Sequence, residues 1–198
     1  MSQFDGSITV REGTLHFSSS IDVNNLTLVA GSTLQVDGGI SVSGDVRVEA
    51  TSIAALRTVA SVSAEEVSSF DGTAVVNGNL DLTNATSLTM AAAIDMGGNT
   101  LTLNDEAITL SLDIDGIGEN VRDLTLMTQV GNITNIVEDP AWQTQANAFF
   151  TADYITEDTM LVYDGSTLML KGLHTIPEPT TATLSLLALA ALAARRRR

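Results

Sequence analysis

The chain has 198 residues, of which 44% are hydrophobic and only 17% charged, and this composition predicts a folded protein rather than a disordered one. Its net charge is −15. Four of the nine basic residues end the chain, so the rest carries five bases against 24 acids, or −19. A surface this acidic repels phosphate backbones, which excludes nucleic acid as a partner. Cysteine is absent, which excludes disulfides, thiolate metal sites and a cysteine nucleophile.

Residues 8–114 show short bursts of strict apolar and polar alternation, the period of a strand with one buried face. Examples are Ile8-Thr9-Val10, Leu26-Thr27-Leu28, Val46-Arg47-Val48, Leu80-Asp81-Leu82, Leu101-Thr102-Leu103 and the longer run from Ile108 to Ile114. Gly, Asn, Asp and Ser separate the bursts, and these residues favour turns. The pattern predicts an all-β protein made of short strands.

A turn phrase repeats within this region. Gly13-Thr14-Leu15 and Gly31-Ser32-Thr33-Leu34 share a glycine turn followed by Thr-Leu, and the two leucines are 19 positions apart. A period of about 20 with short strands is typical of a parallel β-solenoid, in which each coil buries its apolar face on its neighbours. We therefore predict a parallel β-solenoid (β-helix) of roughly six coils. A β-sandwich is the alternative, because it also has short strands separated by regular turns.

The predicted β domain covers residues 1–172 and contains two segments that depart from this pattern. Residues 52–70 break the strand rhythm and are interpreted as an irregular coil or inserted loop. Asp139-Pro140 is a helix-start signal, so residues 141–150 are predicted to form a short capping helix within a cap over 139–172. Leu161-Val162-Tyr163, the Asp164-Gly165 turn and residues 167–170 predict a final hairpin. The cap would cover the edge of the last coil.

The tail changes composition abruptly after Gly172. A linker over 173–181 contains Pro177-Glu178-Pro179, whose prolines favour an extended chain. Residues 182–194 are almost wholly apolar and predict a hydrophobic helix of about 20 Å, shorter than the ~30 Å hydrocarbon core of a bilayer. The chain then ends with Arg195, Arg196, Arg197 and Arg198, a cluster that would anchor it on the cytoplasmic side of a membrane.

These three elements in this order resemble the PEP-CTERM protein-sorting domain of exported proteins in Gram-negative bacteria. The resemblance covers about residues 176–198. It implies that an exosortase-type membrane protease recognises and cleaves the tail near Pro177, Glu178 and Pro179, with transient anchoring in the inner membrane. It also implies a final location at the cell surface, in the outer envelope or in an exopolysaccharide matrix.

The repeat phrases at Gly13 and Gly31 resemble the autotransporter-associated β-strand repeats of passenger-like surface proteins. The chain departs from an autotransporter because no alternating strands of about ten residues follow Gly172. It also lacks the basic and apolar segments of a signal peptide at its start, so we expect either a fragment of a longer protein or a degraded copy.

One acidic phrase is a candidate calcium site. Asp113, Asp115 and Glu119 lie in an acidic phrase with glycine turns, and hard cations such as Ca²⁺ prefer oxygen ligands of this kind. The spacing does not match an EF-hand, and a strand that runs into a turn is the better explanation of the phrase. His16 and His174 are far apart in sequence, so a histidine metal site is not expected, and no cofactor motif occurs.

We therefore expect a non-enzymatic, secreted or surface-displayed protein with a structural, matrix or adhesive role. Its expected partners are the exosortase-type protease, transiently the membrane, and exopolysaccharide or other surface proteins. The alternatives are a carbohydrate-active β-helix lyase or hydrolase, which needs carboxylates converging in one groove, and a truncated paralogue without a function of its own.

Overall fold

The computed structural model describes residues 2–3, 6–51, 70, 72–104, 106–112, 123–134 and 141–173. The described chain forms eighteen strands in two sheets, one of twelve strands and one of six, together with one short 3₁₀ helix, Ala146–Ala148. The strands in chain order are β1 (Ser2–Gln3), β2 (Ser7–Val10), β3 (Thr14–Phe17), β4 (Ile21–Val23), β5 (Asn25–Val29), β6 (Thr33–Val42), β7 (Asp45–Glu49), β8 (Thr73–Asp81), β9 (Ser87–Met90), β10 (Ala93–Asp95), β11 (Thr100–Thr102), β12 (Ile108–Leu112), β13 (Asp123–Thr128), β14 (Asn132–Thr134), β15 (Trp142–Gln145), β16 (Phe150–Thr151), β17 (Met160–Tyr163) and β18 (Leu168–Lys171).

Strands that are distant in sequence pair side by side and in parallel through most of the molecule. The six-stranded sheet has the order β16-β12-β9-β7-β5-β2, and the main path of the larger sheet is β1-β4-β6-β8-β10-β13-β18-β17-β15. In the first of these sheets Ile8 lies beside Leu26, and Leu26 lies beside Val46. Because side chains alternate between the two faces of a strand, this in-register pairing places apolar residues in columns on the same face.

Aliphatic columns fill the space between the sheets. One column in the larger sheet runs from Ile21 through Ile40 and Leu80 to Leu101 and Ile133. All five of these side chains are buried, and Leu101 has no exposed surface. The repeat phrase is part of the same architecture, because Leu15 of β3 pairs with Leu34 of β6 as the 19-residue interval predicts. A narrow interior of this kind requires few aromatic residues, in agreement with the composition.

The end of the chain closes the fold with antiparallel strands. β18 pairs antiparallel with β13, β17 pairs antiparallel with β18, and β15 pairs antiparallel with β17. β17 and β18 form the predicted hairpin around Asp164-Gly165. Strand β16 pairs in parallel with β12. Strands β16, β17 and β18 contribute the last buried apolar residues of the interior, including Phe150, Leu161 and Leu170.

The prediction of a purely parallel β-solenoid closed by a capping helix is therefore wrong. The larger sheet is mixed, since its last three pairings are antiparallel. Residues 141–150 do not form an α-helix: strand β15, the short 3₁₀ helix and the start of β16 occupy them. The physical reason is that Trp142 and Thr144 alternate with Gln143 and Gln145 at the period of a strand, and β17 offers a hydrogen-bonding edge that outweighs a local helix-start signal.

Several predicted segments lie outside the described residues. They include most of the irregular region at 52–70, the helix-start pair at 139–140, and the hydrophobic tail helix with the linker before it.

Candidate functional site

The described chain stops immediately before the predicted sorting tail. Leu173 is its last residue, and the motif Pro177, Glu178 and Pro179 and the arginines 195–198 lie outside the described residues. The part of the site that the structure shows is therefore the point where the tail leaves the folded body.

This exit point is held from several sides. Strand β18 ends at Lys171, and Gly172 then turns with a φ of 69°, a left-handed conformation that glycine adopts without strain. The Gly172 N–H donates to Asp123 Oδ1 at 3.3 Å, and its carbonyl accepts a hydrogen bond from Thr159 Oγ1 at 3.3 Å. Leu173 is only 7% exposed and packs in the core. The folded body is thus anchored up to the residue at which the tail begins.

The loop between β16 and β17 lies beside the exit point and is ordered by its own hydrogen bonds. The Thr156 N–H donates to Thr159 Oγ1 at 3.0 Å, and the Asp158 N–H donates to Thr156 Oγ1 at 3.3 Å. Thr159 is fully buried. A methyl group added to Gly172 would lie 3.2 Å from the Asp158 carbonyl oxygen, which shows how closely the loop and the exit strand approach.

Four charged residues lie next to this point in the strands or in the neighbouring loop, and we call them the exit surface: Asp123, Glu157, Asp158 and Lys171. Glu157, Asp158 and Lys171 are exposed, and Asp123 is half-buried. Asp123 and Lys171 are neighbours across the β13–β18 pairing. The exit surface therefore has three carboxylates against one ammonium group. Sequence reasoning did not identify it, because these residues come together only through the antiparallel pairing at the end of the chain.

Two tyrosines tie the antiparallel end to the parallel part of the fold. The Tyr154 hydroxyl donates to the Leu110 carbonyl at 2.8 Å, and the Tyr163 hydroxyl donates to the Val130 carbonyl at 2.9 Å. Burial raises the pKa of Tyr154 to about 12 and also raises the pKa of Tyr163. Both side chains therefore stay neutral at physiological pH, and their position indicates a structural role.

Asp164 shows why aspartates occur in the turns of this protein. Burial works to raise its pKa, but the N–H groups of Ser166 and Thr167 and the Ser166 hydroxyl outweigh that effect, and the pKa of Asp164 is lowered. Its Oδ1 accepts these N–H bonds at 3.0 and 2.7 Å. The carboxylate is thus already engaged in shaping the turn of the hairpin.

Two contacts between a basic side chain and a carboxylate occur at the surface of the described residues, and the first is an ion pair only when His16 is protonated. His16 Nε2 lies 3.0 Å from Asp37 Oδ1, and Arg47 Nε lies 3.0 Å from Glu49 Oε1. Arg47 points outward from its strand, as the sequence predicted. The pairs belong to different sheets, so they do not form one charged cluster.

The metal and membrane hypotheses concern mainly residues that the structure does not describe. The calcium candidates Asp113, Asp115 and Glu119 lie outside the described residues. Within the described ranges, no three His, Asp or Glu side chains are grouped so that they would hold a metal ion. In the same ranges, no helix has the length and apolar character needed to cross a membrane.

Comparison with known families identifies the tail. Residues 175–198 match the PEP-CTERM protein-sorting motif. This motif is recognised by exosortase, a membrane protease, and it indicates export with transient processing at the membrane in bacteria. The comparison does not show the autotransporter-associated repeats. Searches of curated proteins and of solved structures gave no match.

Proposed function

We propose that this chain is an exported, non-enzymatic protein whose β body is displayed outside the bacterium, at the cell surface or in an exopolysaccharide matrix, with a structural or adhesive role. The observation that carries the proposal is the position of the sorting motif. It begins two residues after Leu173, the buried end of the folded body, so the β body directly precedes the tail that is removed.

The arrangement of titratable groups supports a role without catalysis. Asp81, Asp95 and Asp164 each accept hydrogen bonds from backbone N–H groups two or three residues further along the chain. General acid and base catalysis in carbohydrate-active enzymes requires two carboxyl groups that face one substrate bond. Carboxylates that shape their own turns are accounted for by folding alone.

The outer face of the six-stranded sheet supports a binding or scaffolding role. Thr9, Thr27, Thr89 and Ser111 lie in one column with Arg47, in register across five strands. Neighbouring strands are about 4.8 Å apart, so the column presents four hydroxyl groups and the Arg47 guanidinium group at this spacing. Such a surface offers hydrogen-bond donors and acceptors to sugars or to other proteins.

The composition of the tail supports the delivery step. The prolines flanking Glu178 favour an extended backbone, which a protease cleft accepts readily. The apolar run over 182–194 is short for a full membrane span, and the four arginines that follow hold their end on the cytoplasmic side. The body would then remain on the opposite side of the membrane.

Tail variants test this proposal in the native host. We expect Glu178→Ala and a variant with glutamine at 195–198 to accumulate as uncleaved chains in the membrane fraction, while the body stays folded. Glu12→Ala, which removes an exposed carboxylate from the body, is the matched control and should be processed normally. Normal processing of both tail variants would contradict the proposal.

A further inference from the structure

The short tether between the folded body and the sorting motif limits where the protease can act. Leu173 is buried, and only residues 174–176 separate it from Pro177. A chain spans at most about 3.6 Å per residue, so Pro177 lies within about 14 Å of Leu173 in any conformation. This distance is only slightly larger than the diameter of one α-helix with its side chains, about 10–12 Å.

The body does not lengthen this tether at low cost. To release one or two more residues, the chain would have to withdraw Leu173 from the core and break both hydrogen bonds of Gly172. Further release would separate β18 from β13 on one side and from β17 on the other. Release would also expose the buried Leu173 side chain to water, which is unfavourable, so the folded body resists it.

We infer that the protease contacts the folded body during processing, and that the exit surface formed by Asp123, Glu157, Asp158 and Lys171 is the surface it meets. This inference rests on the proposed function, because it applies only if the tail is processed. If Pro177 is held in a protease cleft, the wall of that cleft lies between the motif and the folded body. Because Pro177 is at most about 14 Å from Leu173, this wall contacts the residues next to Leu173.

The charge of the exit surface determines what can face it. Three carboxylates against one ammonium group would repel an acidic protein surface in contact with them, because charges closer than the Debye length of about 8 Å at physiological salt are only partly screened. The surface of the protease that meets the body is therefore neutral or basic. Reversal of two of these charges should slow association, since charges at the rim of an interface act mainly on the rate of encounter.

The test compares processing rates of charge-reversal variants with and without a longer tether. Glu157→Lys combined with Asp158→Lys changes the exit surface, and Glu12→Lys combined with Asp22→Lys gives the same change in net charge at the opposite end of the body. Each pair is made in the full chain with the native tether, and again with a Gly/Ser insertion of about twenty residues between His174 and Thr175, whose mean span is about 25 Å. The half-life of the uncleaved chain is followed in the native host by pulse labelling.

We expect the exit-surface pair to slow cleavage about five-fold with the native tether and less than two-fold with the long tether. The control pair should stay within two-fold of the unsubstituted chain in both backgrounds. Unchanged cleavage of the exit-surface pair, or a slowing that persists with the long tether, would overturn the inference. If the unsubstituted chain is itself not cleaved, the proposed function fails instead, so the two failures are distinguishable.

A crosslinking measurement keeps the inference testable if the exit-surface pair unfolds. A photoreactive residue at position 158 should form an adduct with the membrane protease, and the same residue at position 12 should not. Absence of an adduct at 158 from cells in which the chain is being cleaved would contradict contact between the body and the protease.

Discussion

Two leucines in one column offer a sharp test of how this fold is stabilised. Leu34 of β6 lies between Leu15 of β3 and Val76 of β8, and it has no exposed surface. Leu15 occupies the equivalent position on the outermost described strand and is 36% exposed. Both residues are leucines and they are paired in register. Replacing each by alanine therefore compares a position inside the column with the position at the end of the column.

The expected costs differ because only one variant leaves a cavity. A fully buried leucine replaced by alanine costs about 2–5 kcal/mol, of which part is the cavity left behind, and we expect about 3 kcal/mol for Leu34→Ala. Leu15→Ala removes apolar contact on one side only, and solvent fills the space, so we expect about 1 kcal/mol. The lower strand propensity of alanine affects both variants alike.

Urea unfolding followed by circular dichroism measures both values. In thermal unfolding, the difference of about 2 kcal/mol corresponds to roughly 4–8 °C for a chain of this size. Equal destabilisation by the two variants, or a cost below about 1 kcal/mol for Leu34→Ala, would refute the argument that the stacked aliphatic columns carry the stability of the body.

Three further substitutions address other parts of the fold. Tyr154→Phe should cost about 1–2 kcal/mol because it leaves the Leu110 carbonyl unpaired. The raised pKa of Tyr154, about 12, also predicts that the unsubstituted protein loses stability as the pH rises from about 10 to 12, and that the variant loses less. Gly78→Ala should cost about 2–3 kcal/mol, since the new methyl group would lie 2.7 Å from the Val36 carbonyl oxygen. Asp164→Ala should cost about 1 kcal/mol through the lost turn bonds. The lowered pKa of Asp164 contributes stability above about pH 4, and the unsubstituted protein loses it at lower pH.

Each of these substitutions has a control. Phenolate absorbance during alkaline titration should show both tyrosines ionising above pH 10, and a Tyr154 that ionises at its ordinary pKa of about 10 would contradict the burial argument. Gly13→Ala meets no atom within 4 Å, so its cost comes only from the left-handed φ of 71°, about 1–2 kcal/mol, and should be below that of Gly78→Ala. Asp164→Asn keeps an acceptor oxygen in the turn and should be milder than Asp164→Ala, so equal costs would show that the turn bonds contribute little.

The alternation in the sequence was sufficient to predict most of the strands. In bursts such as Leu26-Thr27-Leu28 and Val46-Arg47-Val48 the apolar residues are buried and the polar residues are more exposed. The reason is that successive side chains of a strand point to opposite faces of the sheet. The Thr-Leu phrase also placed Leu15 beside Leu34, since an interval close to the repeat length brings equivalent residues into register.

The end of the fold could not be predicted in the same way. Alternation places a residue on a face of a strand but does not say whether the neighbouring strand runs parallel or antiparallel. The helix prediction for residues 141–150 relied on a local signal, whereas pairing of β15 with β17, which is set by tertiary contacts, decided the structure. The exit surface depends on a second long-range pairing, that of β13 with β18, which brings Asp123 next to Lys171 across 48 positions of sequence.

The sorting motif, by contrast, was readable from sequence because its elements are contiguous. Pro177-Glu178-Pro179, the apolar run and the arginines follow one another in order, and no tertiary arrangement is needed to recognise them.

The central claim is that the folded body is exported and separated from its tail, and mass spectrometry of the protein recovered from its native host tests it most directly. Intact-mass measurement with sequencing of the C-terminal peptide should give a chain that ends near Glu178 and lacks the apolar run and the arginines. A recovered protein that still ends at Arg198, in a strain that exports and processes other proteins of this kind, would contradict the claim.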